Sequence, residues 1–253
     1  RTVDPDPAAR APVGIGIPGT VSPATGLVKN ANSTWLIGHP FDRDLAATLD
    51  RRVRVANDAN CFAISEAVDG AGRGHRVVFG VILGTGVGGG IIVDRDILVG
   101  RNALSGEWGH TPLPWMRADE HPGPECYCGR TGCNEAFISG PAFERHFHAA
   151  SGRTLPAPEI VEAAQGGDGE AEAALRDLED RIARALTAIV NILDPDVIVL
   201  GGGLSNISRL YDTLPSRIAD YAFSDSIETP VVPAVHGDAG GVRGAAWLWP
   251  AKP

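Results

Sequence analysis

Four side chains with affinity for a soft cation crowd one stretch of this sequence: His110, Cys126, Cys128 and Cys133. Thiols spaced so closely bridge one another awkwardly, whereas three thiolates and an imidazole are a donor set that tetrahedral zinc accepts. Gly129 and Gly132 let the backbone curl around an ion, and His110 supplies the fourth ligand from the preceding segment. The rival reading, three small buried cysteines beside an unrelated histidine, is the poorer account of so tight a cluster. Cys61 stands alone on a predicted helix and reads as core packing.

Two carboxylates are tied covalently to this loop. Glu107 lies three residues before His110, and Glu135 two after Cys133. Glutamate is ordinarily a solvated surface residue, but one fixed beside a metal can accept from the vicinal hydroxyls of a polyol. Upstream, Asn57-Asp58 falls where a predicted strand gives way to a helix. Both types are favoured helix caps, and strand carboxyl ends are also where α/β sheets hold ligands. An aspartate ionised there at neutral pH can take the proton of an attacking hydroxyl.

Two glycine runs complete the inventory, at 84–90 and 201–203. Without a Cβ in the way, backbone N–H groups approach phosphate oxygens, and Thr85 adds a hydroxyl. No Lys-Ser or Lys-Thr pair follows, so the first run is not a Walker A loop, and neither run is a clean dinucleotide fingerprint. Many glycine runs are only turns; two in one chain favour phosphate. The second follows a buried strand and precedes a helix, a plausible nucleotide shelf.

The elements that must position these residues alternate between strand and helix. Residues 13–17 read as a strand ending in Pro18-Gly19-Thr20, 21–29 as a hairpin, and 30–34 as a polar loop. Phe41, Leu45 and Leu49 give 41–51 an amphipathic helix, 53–56 a strand and 60–69 a helix. Gly70, Gly72 and Gly74 end that helix and mark a candidate hinge. Strands follow at 77–83, 91–93 and 97–99, then the metal region 106–135. Ser139 caps a helix with Pro141 in its first turn. Leu175, Leu178, Ile182, Leu186, Ile189 and Leu193 keep a helical period through 171–193. A buried strand at 197–200, a helix at 208–221, a strand at 231–235 and a helix at 242–249 close the chain. The pattern is α/β.

With 253 residues the chain is one large domain or two modest ones, and 43% hydrophobic with 21% charged residues is ordinary globular composition. Its apolar runs are strand-length, too short to span a bilayer, and no signal peptide opens the sequence, so no membrane partner and a cytoplasmic location are expected. Twenty-two basic against 31 acidic side chains leave a net charge of −9 with no Lys/Arg cluster. Nucleic acid is not an expected partner.

Taken together, these residues resemble the ROK family of sugar kinases, a branch of the actin-like ATPase superfamily. Gly16-Ile17-Pro18-Gly19, Asn57-Asp58-Ala59-Asn60, Gly84-Thr85-Gly86-Val87-Gly88-Gly89, Gly106-Glu107-Trp108-Gly109-His110, Cys126-Tyr127-Cys128-Gly129 through Gly132-Cys133-Asn134-Glu135, and Gly201-Gly202-Gly203 occur in family order. The segments at 30–36, 112–116 and 241–250 look most like bacterial fructokinase/mannokinase, with N-acetylglucosamine kinases next.

The resemblance implies a ribonuclease H-like, actin-like ATPase fold of two α/β domains. Residues 1–74 would form a partial N-terminal domain, joined by a helix at 239–253, and 75–238 a larger C-terminal domain with the zinc loop 106–135. It implies ATP, Mg²⁺ and structural Zn²⁺ as cofactors, a hexose substrate (fructose first, mannose also) and a homodimer. Asp58 matches the catalytic base; Asn32, Asn57, Glu107, His110 and Glu135 match sugar-holding positions, His110 using one ring nitrogen for zinc and the other for sugar. Gly84, Thr85, Gly86, Val87, Gly88 and Gly89 match a phosphate loop, and Gly201, Gly202 and Gly203 the adenosine side. The family's opening Asp-x-Gly-Gly-Thr loop, whose Asp helps place Mg²⁺, has no counterpart, so an incomplete N-terminal domain is expected. The rivals are a non-catalytic ROK-type regulator and an inactive sugar-binding remnant. Regulators carry a helix-turn-helix, which the Pro- and Ala-rich residues 1–12 do not contain.

Overall fold

Val13–Ile17 (β1) alternates valine and isoleucine with glycine and leads through Pro18-Gly19 into a small antiparallel hairpin, β2 (Thr20–Val21) and β3 (Val28–Lys29). The computed structural model describes residues 11–31 and 33–249. Asn32, most of the Pro- and Ala-rich opening and the last residues of the predicted 239–253 helix lie outside the described residues. After helix α1 (Phe41–Leu49), β4 (Val53–Asn57) returns parallel to β1 and sets Asn57 beside Ile17.

Helix α2 (Asp58–Asp69) starts on the very next residue, two before the predicted start. The side chain of Asn57 explains the early start. Its Oδ1 accepts from the backbone N–H of Ala59 at 2.9 Å and of Asn60 at 3.3 Å, satisfying two donors that a helix start leaves orphaned. Asp58 therefore occupies the first turn.

Beyond Gly70–Gly74 the chain makes an antiparallel meander of β5 (Val77–Leu83), β6 (Val87–Val93) and β7 (Asp96–Ile97). The metal region follows, then α3 (Asn134–Ile138), α4 (Gly140–Ser151), α5 (Ala157–Gln165) and α6 (Gly169–Leu193). Helix α5, for which the sequence pattern predicts no element, buries Ala157, Ile160 and Ala164. Strand β8 (Val197–Gly201), α7 (Arg209–Tyr221), β9 (Val231–Pro233) and α8 (Gly240–Trp247) complete the order.

The larger sheet runs β7-β6-β5-β8-β9, with β5, β8 and β9 parallel. Both faces are covered, which is why β5 and β8 read as unbroken apolar runs. On one face Phe79, Val81 and Leu83 meet Phe143 and Phe147 of α4 and Leu175, Leu178, Ile182 and Leu186 of α6. Each such side chain contributes about 1.5–3 kcal/mol on burial. On the other face α2 lays Phe62, Ala63 and Ala67 on Val78, Ile92, Val197 and Val199.

The approach of α2 corrects the reading of the first glycine run. Only the turn at 84–86 is loop; Gly88, Gly89 and Gly90 lie within β6. Gly80 and Gly90 face each other across the hairpin, and a Cβ on either would come within 2.6 Å of the Ala63 methyl. Those two glycines are the seat of a helix.

At the far end of α2, buried Glu66 accepts from three backbone N–H groups: Ala71 at 2.9 Å, Val235 at 3.1 Å and His236 at 3.0 Å. The segment leaving α2 and the segment leaving β9 are thus held by one carboxylate. Among the described residues no helix is long and apolar enough to cross a membrane.

Candidate active site beside a metal cluster

The metal loop is small and glycine-bent. Cys126 N–H donates to Arg130 C=O at 2.8 Å and Gly129 N–H to Cys126 C=O at 2.9 Å, turning the chain so that Cys126 and Cys128 face inward. Cys133 is the N-cap of α3, and His110 ends a single 3-10 turn, Trp108–His110. Trp108 anchors that turn: its buried indole donates to Gly88 C=O at 2.9 Å and meets Phe79 edge-on.

One nitrogen of His110 and the sulfurs of Cys126, Cys128 and Cys133 all lie within 4.8 Å of one another. The Cys128 and Cys133 sulfurs are 3.7 Å apart, and His110 Nδ1 is 3.5 Å from Cys126 Sγ. A zinc ion with bonds of about 2.3 Å to sulfur and about 2.0 Å to nitrogen sets tetrahedral edges of about 3.8 and 3.5 Å. The donor set and its spacing fit zinc, and these four residues would hold it. When bound, the ion supplies fixed bonds to a loop too small to have its own core.

A second anchor comes from charges far apart in sequence. Glu120, buried, takes Arg181 and Arg184 of α6 at 2.8 Å each, and Arg184 also donates to the carbonyls of Pro114 and Trp115. Burial alone would raise the Glu120 pKa; the hydrogen bonds from Arg184, Arg181 and the Arg117 N–H outweigh it and hold it at about 2. Nothing in the sequence pairs residue 120 with residues 61 and 64 positions away, and the reading missed them.

The cluster forms one wall of a cavity of about 830 Å³. Asp58, Glu107, His110 and Glu135 open into it together, with Asn30, Asn57 and 86–89. Four of the sequence-predicted carboxylate and imidazole groups are thereby brought to one space. Asp58 is open to the cavity, yet the surrounding protein strips enough water to raise its pKa, partly offset by the Ala59 N–H at 2.8 Å. Burial also raises Glu107, with His110 opposing and Asp58 adding to the effect. Behind Asp58, burial and then the Asp58 charge push the Cys61 thiol up to about 12, so it stays a neutral packing group as expected.

Two of the residues expected to hold sugar have partners within the protein. Asn57 lines the cavity, but its amide is engaged as the α2 cap and, through Nδ2, with Gly19 C=O at 3.2 Å. His110 Nε2, expected to face a sugar, is paired with Tyr127 Oη at 3.0 Å. Tyr127 was not among the predicted residues; its place between two cysteines of the cluster is the signal that would have found it. Asn32 lies outside the described residues.

Of the predicted phosphate residues, Gly86, Val87, Gly88 and Gly89 line the cavity, whereas Gly84, Thr85 and 201–203 do not. The two glycine segments are nevertheless neighbours. Ile82 pairs with Gly201 across parallel β5 and β8, and a Cβ on Gly202, at φ +84°, would meet the Leu83 carbonyl. Both turns thus leave the carboxyl ends of adjacent parallel strands.

Residues 3–252 match the ROK family. The chain belongs to the ROK family of sugar kinases. An N-acetyl-D-glucosamine kinase of Yersinia enterocolitica is 41% identical over 252 residues, 98% of this chain and 83% of that protein. One of Erwinia tasmaniensis is 43% identical over 243 residues, covering 94% and 80%. Among solved structures, the ROK hexokinase from Thermus thermophilus superposes with TM-score 0.80 at 30% identity, over 93% of this ROK chain and 77% of that one. A ROK family glucokinase from Streptomyces griseus, in complex with glucose and AMPPNP, gives 0.75 at 29% identity, covering 94% and 80%. The expected α/β, actin-like ATPase fold is thereby established. The fructokinase expectation finds no support in these ROK relatives, and the two at 41% and 43% identity are named N-acetyl-D-glucosamine kinases.

Proposed function

We propose that this ROK protein transfers the terminal phosphoryl group of ATP to a hydroxyl of N-acetyl-D-glucosamine, with Asp58 as general base. The observation that carries the reading is the sharing of one cavity by Asp58, the carboxylates Glu107 and Glu135, and the glycine-lined edge of β6. A sugar bound among the carboxylates would present a hydroxyl to Asp58. As the oxygen–phosphorus bond forms and the bond to ADP breaks, the hydroxyl proton passes to the Asp58 carboxylate. Phosphoryl transfer depends chiefly on positioning and charge neutralisation, and Mg²⁺ is expected with the nucleotide's phosphates. Zinc, held by His110 and the three cysteines, braces the sugar wall. The sugar is chosen over fructose because relatives more than 40% identical along nearly the whole chain bear the N-acetyl-D-glucosamine kinase name.

The test is ADP release with N-acetyl-D-glucosamine, glucose, mannose and fructose, beside an Asp58→Ala variant. N-acetyl-D-glucosamine should give the highest kcat/KM and the variant almost no turnover. Preference for fructose would overturn the substrate; full rate in the variant would overturn the base. Stimulation by no sugar would overturn the kinase reading.

A further inference from the structure

Carboxylates that accept from hydroxyls do not by themselves tell one hexose from another, since every hexose offers hydroxyls. N-acetyl-D-glucosamine differs from glucose by an acetamido group whose outer end is a methyl. A cavity that selects this sugar gains by covering that methyl with apolar surface. Among the described residues, the aliphatic side chains of the lining are few. Ala31, Ala59 and Val87 are buried and Pro18 and Ile82 half-buried, whereas Leu104 is 47% exposed.

Leu104 is held beside one of the proposed sugar carboxylates. Its carbonyl accepts the backbone N–H of Glu107 at 3.2 Å, so the leucine and Glu107 stand on one turn of chain. Its neighbour Ala103 is buried, with φ +49°. One residue further back, Asn102 C=O accepts from Lys29 Nζ at 2.7 Å, which ties this loop to β3 across 73 residues of sequence. Asn30 and Ala31, next to Lys29, line the same cavity. An aliphatic side chain fixed in such a place and left open to water gains when a ligand's apolar group covers it.

We infer that Leu104 sets the choice of an acylated over a plain hexose: its side chain packs on the methyl of the sugar's acetamido group. The inference deepens the N-acetyl-D-glucosamine reading and rests on it. It makes Leu104 a specificity residue with no part in the phosphoryl transfer itself.

N-formyl-D-glucosamine lacks only that methyl, so the ratio of kcat/KM for the N-acetyl and N-formyl sugars isolates the contact. The experiment measures both sugars, with glucose beside them, in the parent chain, Leu104→Ala and Leu104→Met. In the parent the N-acetyl sugar should exceed the N-formyl sugar about 10-fold, the worth of one carbon in an apolar pocket. Leu104→Ala should bring the ratio to about 1–2, while Leu104→Met, still apolar and of similar volume, should keep most of it. An unchanged ratio in Leu104→Ala would overturn the inference and leave the N-acetyl-D-glucosamine reading intact. Equal losses for all three sugars would also overturn it, as the mark of a residue that merely supports Glu107. A parent ratio near unity would overturn it without any variant. Should the parent prefer glucose to both acylated sugars, the substrate reading fails and the inference falls with it.

Discussion

Glu135 Oε2 accepts the backbone N–H of Val87 at 2.8 Å, joining the first turn of α3 to the glycine edge of β6. Just beyond, Gly140 N–H donates to Gly84 C=O at 2.8 Å, so the turn at 84–87 is held at both ends by the segment that follows Cys133. A carboxylate predicted only to hold sugar therefore also ties the metal loop to the candidate phosphate side.

Glu135→Ala leaves a buried backbone N–H without its partner, a loss of about 1–3 kcal/mol. It should raise KM for ATP as well as for sugar. Glu135→Gln retains an acceptor oxygen and should raise the sugar KM with little effect on ATP. Steady-state kinetics with each substrate varied in turn checks the split; equal ATP behaviour in both variants would count against the tie.

Because burial raises Asp58 above the usual aspartate value of 3.8, the acid limb of kcat/KM should lie above that value. The base works ionised, so activity is present above the limb and falls as pH drops through it. The stability sign is opposite. A carboxyl whose folded pKa is raised favours folding when protonated and loses that contribution as pH rises. Asp58→Asn should therefore melt higher than the parent at neutral pH while losing about 10²–10⁴ in turnover. A pH–rate profile and paired thermal melts measure both.

Glu120 behaves the other way. Its pKa is lowered from 4.5 to about 2, so its contribution is present above 4.5 and is lost as pH falls toward 2. Glu120→Gln breaks a buried pair and should cost about 3–5 kcal/mol at neutral pH. Urea unfolding should show the gap between variant and parent narrowing in acid.

Chelation of zinc, or Cys128→Ser, should weaken sugar binding most, since Glu107, His110 and Glu135 all depend on the loop. A smaller rise in KM for ATP should follow through Glu135 and Val87. Equal sugar affinity with and without metal would exclude the bracing role.

What the sequence revealed divides by distance along the chain. The gathering of His110 with the three cysteines and the place of Asp58 were legible because local spacing carries them: a thiol cluster, a strand end beside a helix start. The helical period through 171–193 was equally plain. The glycines were ambiguous, since a missing side chain serves a phosphate or a neighbouring helix alike, and only packing shows that Gly90 faces Ala63. The contacts of Glu120 with Arg181 and Arg184 and of Glu135 with Val87 span dozens of residues and left no local pattern. The hexose was not legible, because discrimination between sugars rests on a few contacts, whereas the motifs describe what all the family's pockets share.

The seat formed by Gly80 and Gly90 has a consequence for how this molecule tolerates error. The hairpin that carries α2 ends in the glycine turn, and α2 begins with Asp58, so the proposed base and the turn are machined on one block. A methyl group added at either glycine would lift the helix, and with it the carboxylate, by a fraction of its own width. Displacements near 1 Å cost reaction rate on the order of 10²-fold. Drift in this seam should be felt as a slow enzyme well before it is felt as an unfolded one.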